Sequence, residues 1–163
     1  MDVVVPGEGG EPDSSVPEYA FRAVRARMNG LEVEGRTQWT MGPWALAANA
    51  SLDAVRGDNL DAGEPLPRLA PQRLRVGLQA GTGAWTAGLA LRHQAAQRRV
   101  PATDSATPGA TLVDLWARGR LTAGGGLLWF AKLANAGDKV AVNASAVATV
   151  RGLSPQGGRA LRA

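Results

Sequence analysis

The chain has 163 residues, enough for one domain, and its 18 basic against 14 acidic residues give a net charge of +4. The basic residues are mostly Arg, spread singly with no cluster interleaved with aromatics, which sets nucleic-acid binding aside. Absence of cysteine excludes disulfides and thiolate metal sites, no apolar run is long enough for a transmembrane helix, and the opening Met1-Asp2 lacks the basic and apolar regions of a signal peptide.

Residues 1–17 are rich in Gly, Pro, Asp, Glu and Ser and read as a loop or disordered lead-in. Residues 18–163 read as one β-rich domain. Segment 30–40 places Leu31 and Val33 opposite Glu32, Glu34 and Arg36. Segment 44–56 places Leu46, Ala48, Ala50, Leu52 and Ala54 opposite Asn49, Ser51 and Asp53. In 72–81, Leu74, Val76, Leu78 and Ala80 oppose Arg73, Arg75, Gly77 and Gln79. In 85–96, Trp85, Ala87, Leu89 and Leu91 oppose Thr86, Gly88, Ala90, Arg92 and Gln94. In 110–121, Thr111, Val113, Leu115, Ala117 and Leu121 oppose Asp114, Trp116, Arg118 and Arg120. Segment 126–134 is apolar on both faces, with Lys132 its only charge, and its facing is ambiguous. Segment 139–151 reads either as a short helix or as an extended arm, and a seventh strand begins at 158–163. Helix is the rival for the Ala-rich stretches, since Ala, Leu and Arg are good helix formers. Strict alternation and interrupting glycines favour strand.

The connections alternate in length. Those at 41–43, 82–84 and 122–125 are short, whereas 57–71, 97–109 and 135–156 are long and rich in Pro, Asp, Asn, Ser and Gly. An outer-membrane barrel has this asymmetry, with tight periplasmic turns on one rim and longer loops outside. Strands of about 10–13 residues suit a tilted crossing of the hydrocarbon layer, whereas strands of soluble domains average about 5–6. Trp39, Trp44, Trp85 and Trp129 gather near the short turns, where indoles at a membrane interface belong. The expected fold is therefore all-β: an antiparallel up-and-down meander of about six to seven long strands, a segment of a transmembrane β-barrel. The competing reading is a soluble β-rich binding or structural domain of the cell envelope, with the same faces buried between two packed sheets.

Several motifs resemble TonB-dependent outer-membrane receptors. Gly63-Glu64-Pro65-Leu66-Pro67-Arg68-Leu69-Ala70-Pro71-Gln72-Arg73-Leu74 is similar to that family's loop-to-strand junction. Pro108-Gly109-Ala110-Thr111-Leu112-Val113-Asp114-Leu115 is similar to a strand near the barrel's end, with Ala110 where a tyrosine is usual. Ala26-Arg27-Met28-Asn29-Gly30-Leu31-Glu32-Val33-Glu34, preceded by Val16-Pro17-Glu18-Tyr19, and Ser154-Pro155-Gln156-Gly157-Gly158-Arg159 complete the set in the family's order. Lys132-Leu133, with Asn135 displaced, departs from the family's pattern before the last loop. Within the family, the likeness is to the branch associated with uptake of zinc or other metal chelates. A complete member has a signal peptide, a plug domain and about 22 strands. The plug and the closing strand, which normally ends in an aromatic residue, are not found here.

The resemblance implies a part of a receptor that takes up a scarce nutrient, such as a ferric siderophore, another metal chelate or cobalamin. It implies the cell outer membrane as location, with outer-membrane lipid, a plug, further barrel strands, TonB and a nutrient chelate as partners. By parity, Glu32, Glu34, Asn49, Ser51, Asp53, Arg73, Arg75, Gln79, Arg92, Gln94, Asp114, Arg118 and Arg120 are expected to line the lumen. Their expected role is to solvate it and to pair with each other or with the plug. No enzymatic role, cofactor or metal site is expected. His93 is the only histidine and falls on the apolar side. Asp58 and Asp61 are too few oxygen ligands for a calcium loop.

Overall fold

The computed structural model describes residues 2–6, 19–121, 126–145 and 155–162. Among them every regular element is a strand. β1 (Asp2–Pro6) and β2 (Tyr19–Ala23) pair as an antiparallel ribbon. The main sheet contains β3 (Ala26–Met41), β4 (Trp44–Asn59), the two-residue β5 (Glu64–Pro65), β6 (Arg73–Gly81), β7 (Trp85–Gln94), β8 (Ala110–Arg120), β9 (Leu128–Ala134) and β10 (Ala160–Arg162). Its order is β10-β9-β8-β7-β6-β4-β3, with β5 pairing on β4, and every pairing is antiparallel. This is an up-and-down meander of seven strands in sequence order, as the alternating pattern predicts.

The hairpin of β3 and β4 shows how local chemistry fixes register. Met41 pairs with Trp44, leaving Gly42 and Pro43 as a two-residue turn. Gly42 has φ +58°, which a glycine adopts without steric cost, and the ring of Pro43 holds its own φ negative. That combination suits the tight turns that match strand twist. Once the turn is set, every residue to Ala26↔Asn59 has its partner and its face determined.

Two expectations about extent change. β3 and β4 run 16 residues each, beyond the 30–40 and 44–56 read from alternation. At the far end the face that carries Leu31 and Ala54 continues with Asn29, Arg27 and Asp58, so its apolar period stops there, yet the ladder continues from the turn without a break. At the N-terminus, the lead-in read as a loop contains β1. Its Val3-Val4-Val5 run is β-branched and favours strand within a stretch whose composition otherwise signals a loop. The short connection expected at 122–125 and residues 146–151 of the uncertain segment 139–151 lie outside the described residues. The described part of that segment is irregular, and Val142 bridges Pro155 in antiparallel fashion.

Among the described residues the sheet has no second layer over its apolar face. Leu31 is 59% exposed, Leu78 45% and Leu115 43%. A soluble sandwich would bury these residues between two sheets about 10 Å apart. Among the described residues the buried apolar side chains sit elsewhere, Leu66 and Ala141 in the long connections and Leu112 near the start of β8.

Candidate functional site

The pairing register sorts the side chains into two continuous faces. Across β3, β4, β6, β7, β8 and β9, one face carries rows such as Val33, Leu52, Leu74 and His93, then Thr37, Ala48, Leu78, Leu89, Leu115 and Leu133. The last row of this face, at the short-turn end, is Met41, Trp44, Trp85 and Trp129, joined through Gly119, with Trp39 one row inside. Trp44 and Trp85 meet edge to face at 5.5 Å. A Cβ on Gly119 would lie 2.8 Å from Nε1 of Trp129, so only glycine leaves that indole its place between the rows. The ten-residue step from Trp44 to Ala54 covers about 33 Å along the strand, or about 23 Å of depth at a 45° tilt, close to the apolar band of a membrane barrel. Beyond Ala54 and Leu31 this face turns polar with Arg56, Asp58, Asn29 and Arg27.

The opposite face carries all thirteen residues singled out by parity. Glu32, Asp53, Arg73 and Gln94 form one row, and Glu34, Ser51, Arg75 and Arg92 form the next. Asn49 and Asp114 share a third row through Gly77 and Ala90. Gln79 lies in the row of Trp116 and Lys132, while Arg118 and Arg120 stand nearer the short-turn rim.

The structure brings some of these residues together and leaves others apart. Arg73 Nε donates to Asp53 Oδ1 at 2.8 Å across β4 and β6. Asp114 is the hub of a second cluster. It accepts from Arg92 Nη2 at 3.2 Å, lies 3.6 Å from Lys132 Nζ, and accepts the Asn135 backbone N–H at 2.9 Å. Its side chain is 9% exposed, and three donors compensate its desolvation. Arg118 instead stacks over Trp116, with its guanidinium carbon 5.7 Å from the ring centroid. Lys132 and Phe130 also belong to this face, and Trp129, Ala131 and Leu133 to the other, which resolves the ambiguous facing of 126–134. Sequence alone misses Lys132 because β9 is apolar on both sides and its parity is set by the pairing with β8.

The long connections gather at the end opposite the tryptophans. Leu66, 1% exposed, packs where Gly57 has no side chain, since a Cβ there would lie 2.8 Å from Leu66 Cδ1. Arg99 reaches across from the next connection, donating Nη1 to Gly57 O at 2.8 Å and pairing with Asp58. Gln97 Nε2 donates to Leu69 O at 2.9 Å. Together these segments border a cleft of about 310 Å³ that includes Thr107, whose hydroxyl is buried with no hydrogen-bond partner among the described residues. Asp61 bonds Arg25 at 2.6 Å, so the carboxylates of Asp58 and Asp61 both face guanidinium groups. Among the described residues, no cluster of three or more His, Asp or Glu could hold a metal. His93 Nδ1 lies 2.8 Å from Thr111 Oγ1, both on the apolar face.

The family model described as TonB dependent receptor-like, beta-barrel matches residues 2–135. The chain belongs to this family. Members of the TonB-dependent receptor family are outer-membrane transport proteins, and the apolar band and tryptophan rim are those of an outer-membrane wall. The "Heme/hemopexin utilization protein C" of Haemophilus influenzae is 33% identical over 93 residues, which is 55% of this chain and 12% of that protein. The solved structure of "Copper transporter OprC" superposes with a TM-score of 0.82 at 24% identity, covering 99% of this chain and 26% of that one, a likeness of fold. The chain thus spans a small part of the relatives that it matches.

Proposed function

We propose that this chain forms part of the barrel wall of a TonB-dependent receptor that imports a scarce nutrient chelate, a ferric siderophore or another metal complex, across the outer membrane. Residues 18–163 belong to the barrel domain. Its apolar face meets lipid, and the thirteen polar-face residues line the lumen. Most of them solvate that lumen or pair with each other and with a plug, as Arg73–Asp53 and Arg92–Asp114 already do within the wall. TonB acts through a part of the receptor outside this chain. The role is transport, with no catalysis.

The observation that supports this reading most is the register. It collects every ionic side chain of the mid-strand region on one face, and a tryptophan-rimmed apolar band on the other. In a protein dissolved in water that band would be an aggregation surface. In a bilayer it is the required surface. The two named relatives, one for haem or hemopexin utilisation and one for copper transport, support a metal-containing cargo.

Deleting the gene that encodes this chain tests the proposal, with iron, zinc and copper per cell measured by mass spectrometry in metal-limited medium. We expect one of the three metals to fall at least severalfold, and the same loss in cells lacking TonB. Unchanged content of all three metals would overturn it.

A further inference from the structure

The polar face contains an arrangement that its own ion pairs do not explain. Arg75 on β6 and Arg92 on β7 are directly opposite each other, and Arg73 is the diagonal neighbour of Arg92. Like charges in directly opposed positions have Cβ atoms about 4.5–5.5 Å apart and destabilise a sheet. Arg73 leans to Asp53 on one flank, and Arg92 leans to Asp114 on the other. Arg75 has no ion pair or side-chain hydrogen bond among the described residues.

The connection after β9 folds over this spot. Asn135 closes its start, accepting Lys139 N–H at 3.0 Å and donating Nδ2 to Lys139 O at 2.9 Å. Gln94 Nε2 then donates to Val142 O at 2.8 Å, and Gln156 N–H donates to Ala141 O at 2.7 Å. Ala141 is buried, as is Leu112 beside it on the polar face. Between the connection and the sheet remains a cavity of about 200 Å³, lined by Arg73, Arg75, Arg92, Gln94, Asn143 and Gln156 among others. Asn143 uses its carbonyl oxygen to accept Ser145 N–H, leaving its NH₂ free to donate.

We propose that this cavity is a carboxylate-binding site in which the Arg75–Arg92 pair clamps an anionic group from two sides. Planar guanidinium forks match carboxylates bidentately, and side-chain amides complete the set of donors. The anion removes the repulsion that the cross-strand pair otherwise carries. The carboxylate comes either from a soluble anionic chelate or from an acidic side chain inside the barrel. The first source makes this site part of the import path. The inference deepens the transport reading and rests on the polar face being the lumen, but its test does not depend on that assignment.

The test uses the intact receptor carrying this chain, purified in detergent, with tricarballylate as a metal-free tricarboxylate probe. Titration calorimetry at low salt and the melting midpoint are read for the parent, Arg75→Gln, Arg75→Lys and Arg92→Gln. Arg56→Gln, which removes a charge from the other face, is the control. A soluble ligand as source predicts tricarballylate binding that Arg75→Gln and Arg92→Gln each weaken at least tenfold, with Arg56→Gln unchanged. An internal carboxylate as source predicts no probe binding, a lower melting midpoint in Arg75→Gln, and restoration of that midpoint in Arg75→Lys. If the probe does not bind and Arg75→Gln melts at the same or a higher temperature, nothing sits between the arginines and the proposal fails. That failure leaves the transport reading standing, because metal content per cell is measured independently.

Discussion

Asp114 shows how a single residue can hold a sheet together from its polar face. Three strands converge on it: its own β8, β7 through Arg92, and β9 through Lys132 and the Asn135 backbone. Both cations are more than a third exposed, so solvent screens much of their attraction, whereas the Asn135 N–H is buried with its acceptor. Removing the carboxylate leaves that N–H without a partner and two guanidinium or ammonium groups facing each other. We expect Asp114→Ala to destabilise the barrel by about 2 kcal/mol in urea unfolding. Asp114→Asn, which keeps an acceptor for the N–H, should cost about half as much. The acidic character of this position is evident in the alternation of β8. Its role as a hub is not, because Arg92 precedes it by 22 residues and Lys132 and Asn135 follow it by about 20, and only the pairing of β7, β8 and β9 brings them together.

Strands β3 and β4 illustrate what an element reveals. Within the membrane band their two faces differ sharply, and period-two alternation follows directly from that difference in surroundings. Beyond Leu31 and Ala54 the apolar face turns polar with Asn29, Arg56, Arg27 and Asp58, and the hairpin leaves the apolar layer while its ladder continues. The cost of a charge on the apolar face should therefore depend on depth. Leu78→Arg, in the middle row, should destabilise the receptor by about 3 kcal/mol in lipid vesicles, and Ala54→Arg, at the edge of the band, by less than about 1 kcal/mol. Gln79→Arg, one residue from Leu78 but on the other face, should change stability by less than about 0.5 kcal/mol. Equal costs at Leu78 and Gln79 in urea titrations would contradict the division of faces.

At the scale of the whole molecule, the two ends of the sheet differ. One has tight turns and tryptophans, the other packed connections with a core of their own around Leu66. Interfacial indoles and short turns suit the periplasmic rim, and the long connections suit the cell surface. A peptide tag inserted after Ala102, in an exposed part of the second long connection, should be stained by antibody on intact cells. A tag inserted after Gly83 should be stained only after the outer membrane is permeabilised. Staining of both on intact cells would refute this orientation.

The sequence by itself determined the long strands of the main sheet, the two faces of β3 to β8 and the gathering of tryptophans at one rim, because each is a local consequence of side-chain alternation and turn chemistry. It also carried the likeness to TonB-dependent receptors, through short motifs in the right order. Tertiary structure alone decided the facing of β9, the packing of Arg99 on Gly57 and Asp58, and the folding of the connection after β9 over Arg75 and Arg92. These contacts join residues far apart in the chain, and the Pro-, Gly- and Asn-rich connections that form them follow no period. Their conformation is set by the hydrogen bonds and buried apolar contacts that they find against the sheet, which exist only once the strands have paired.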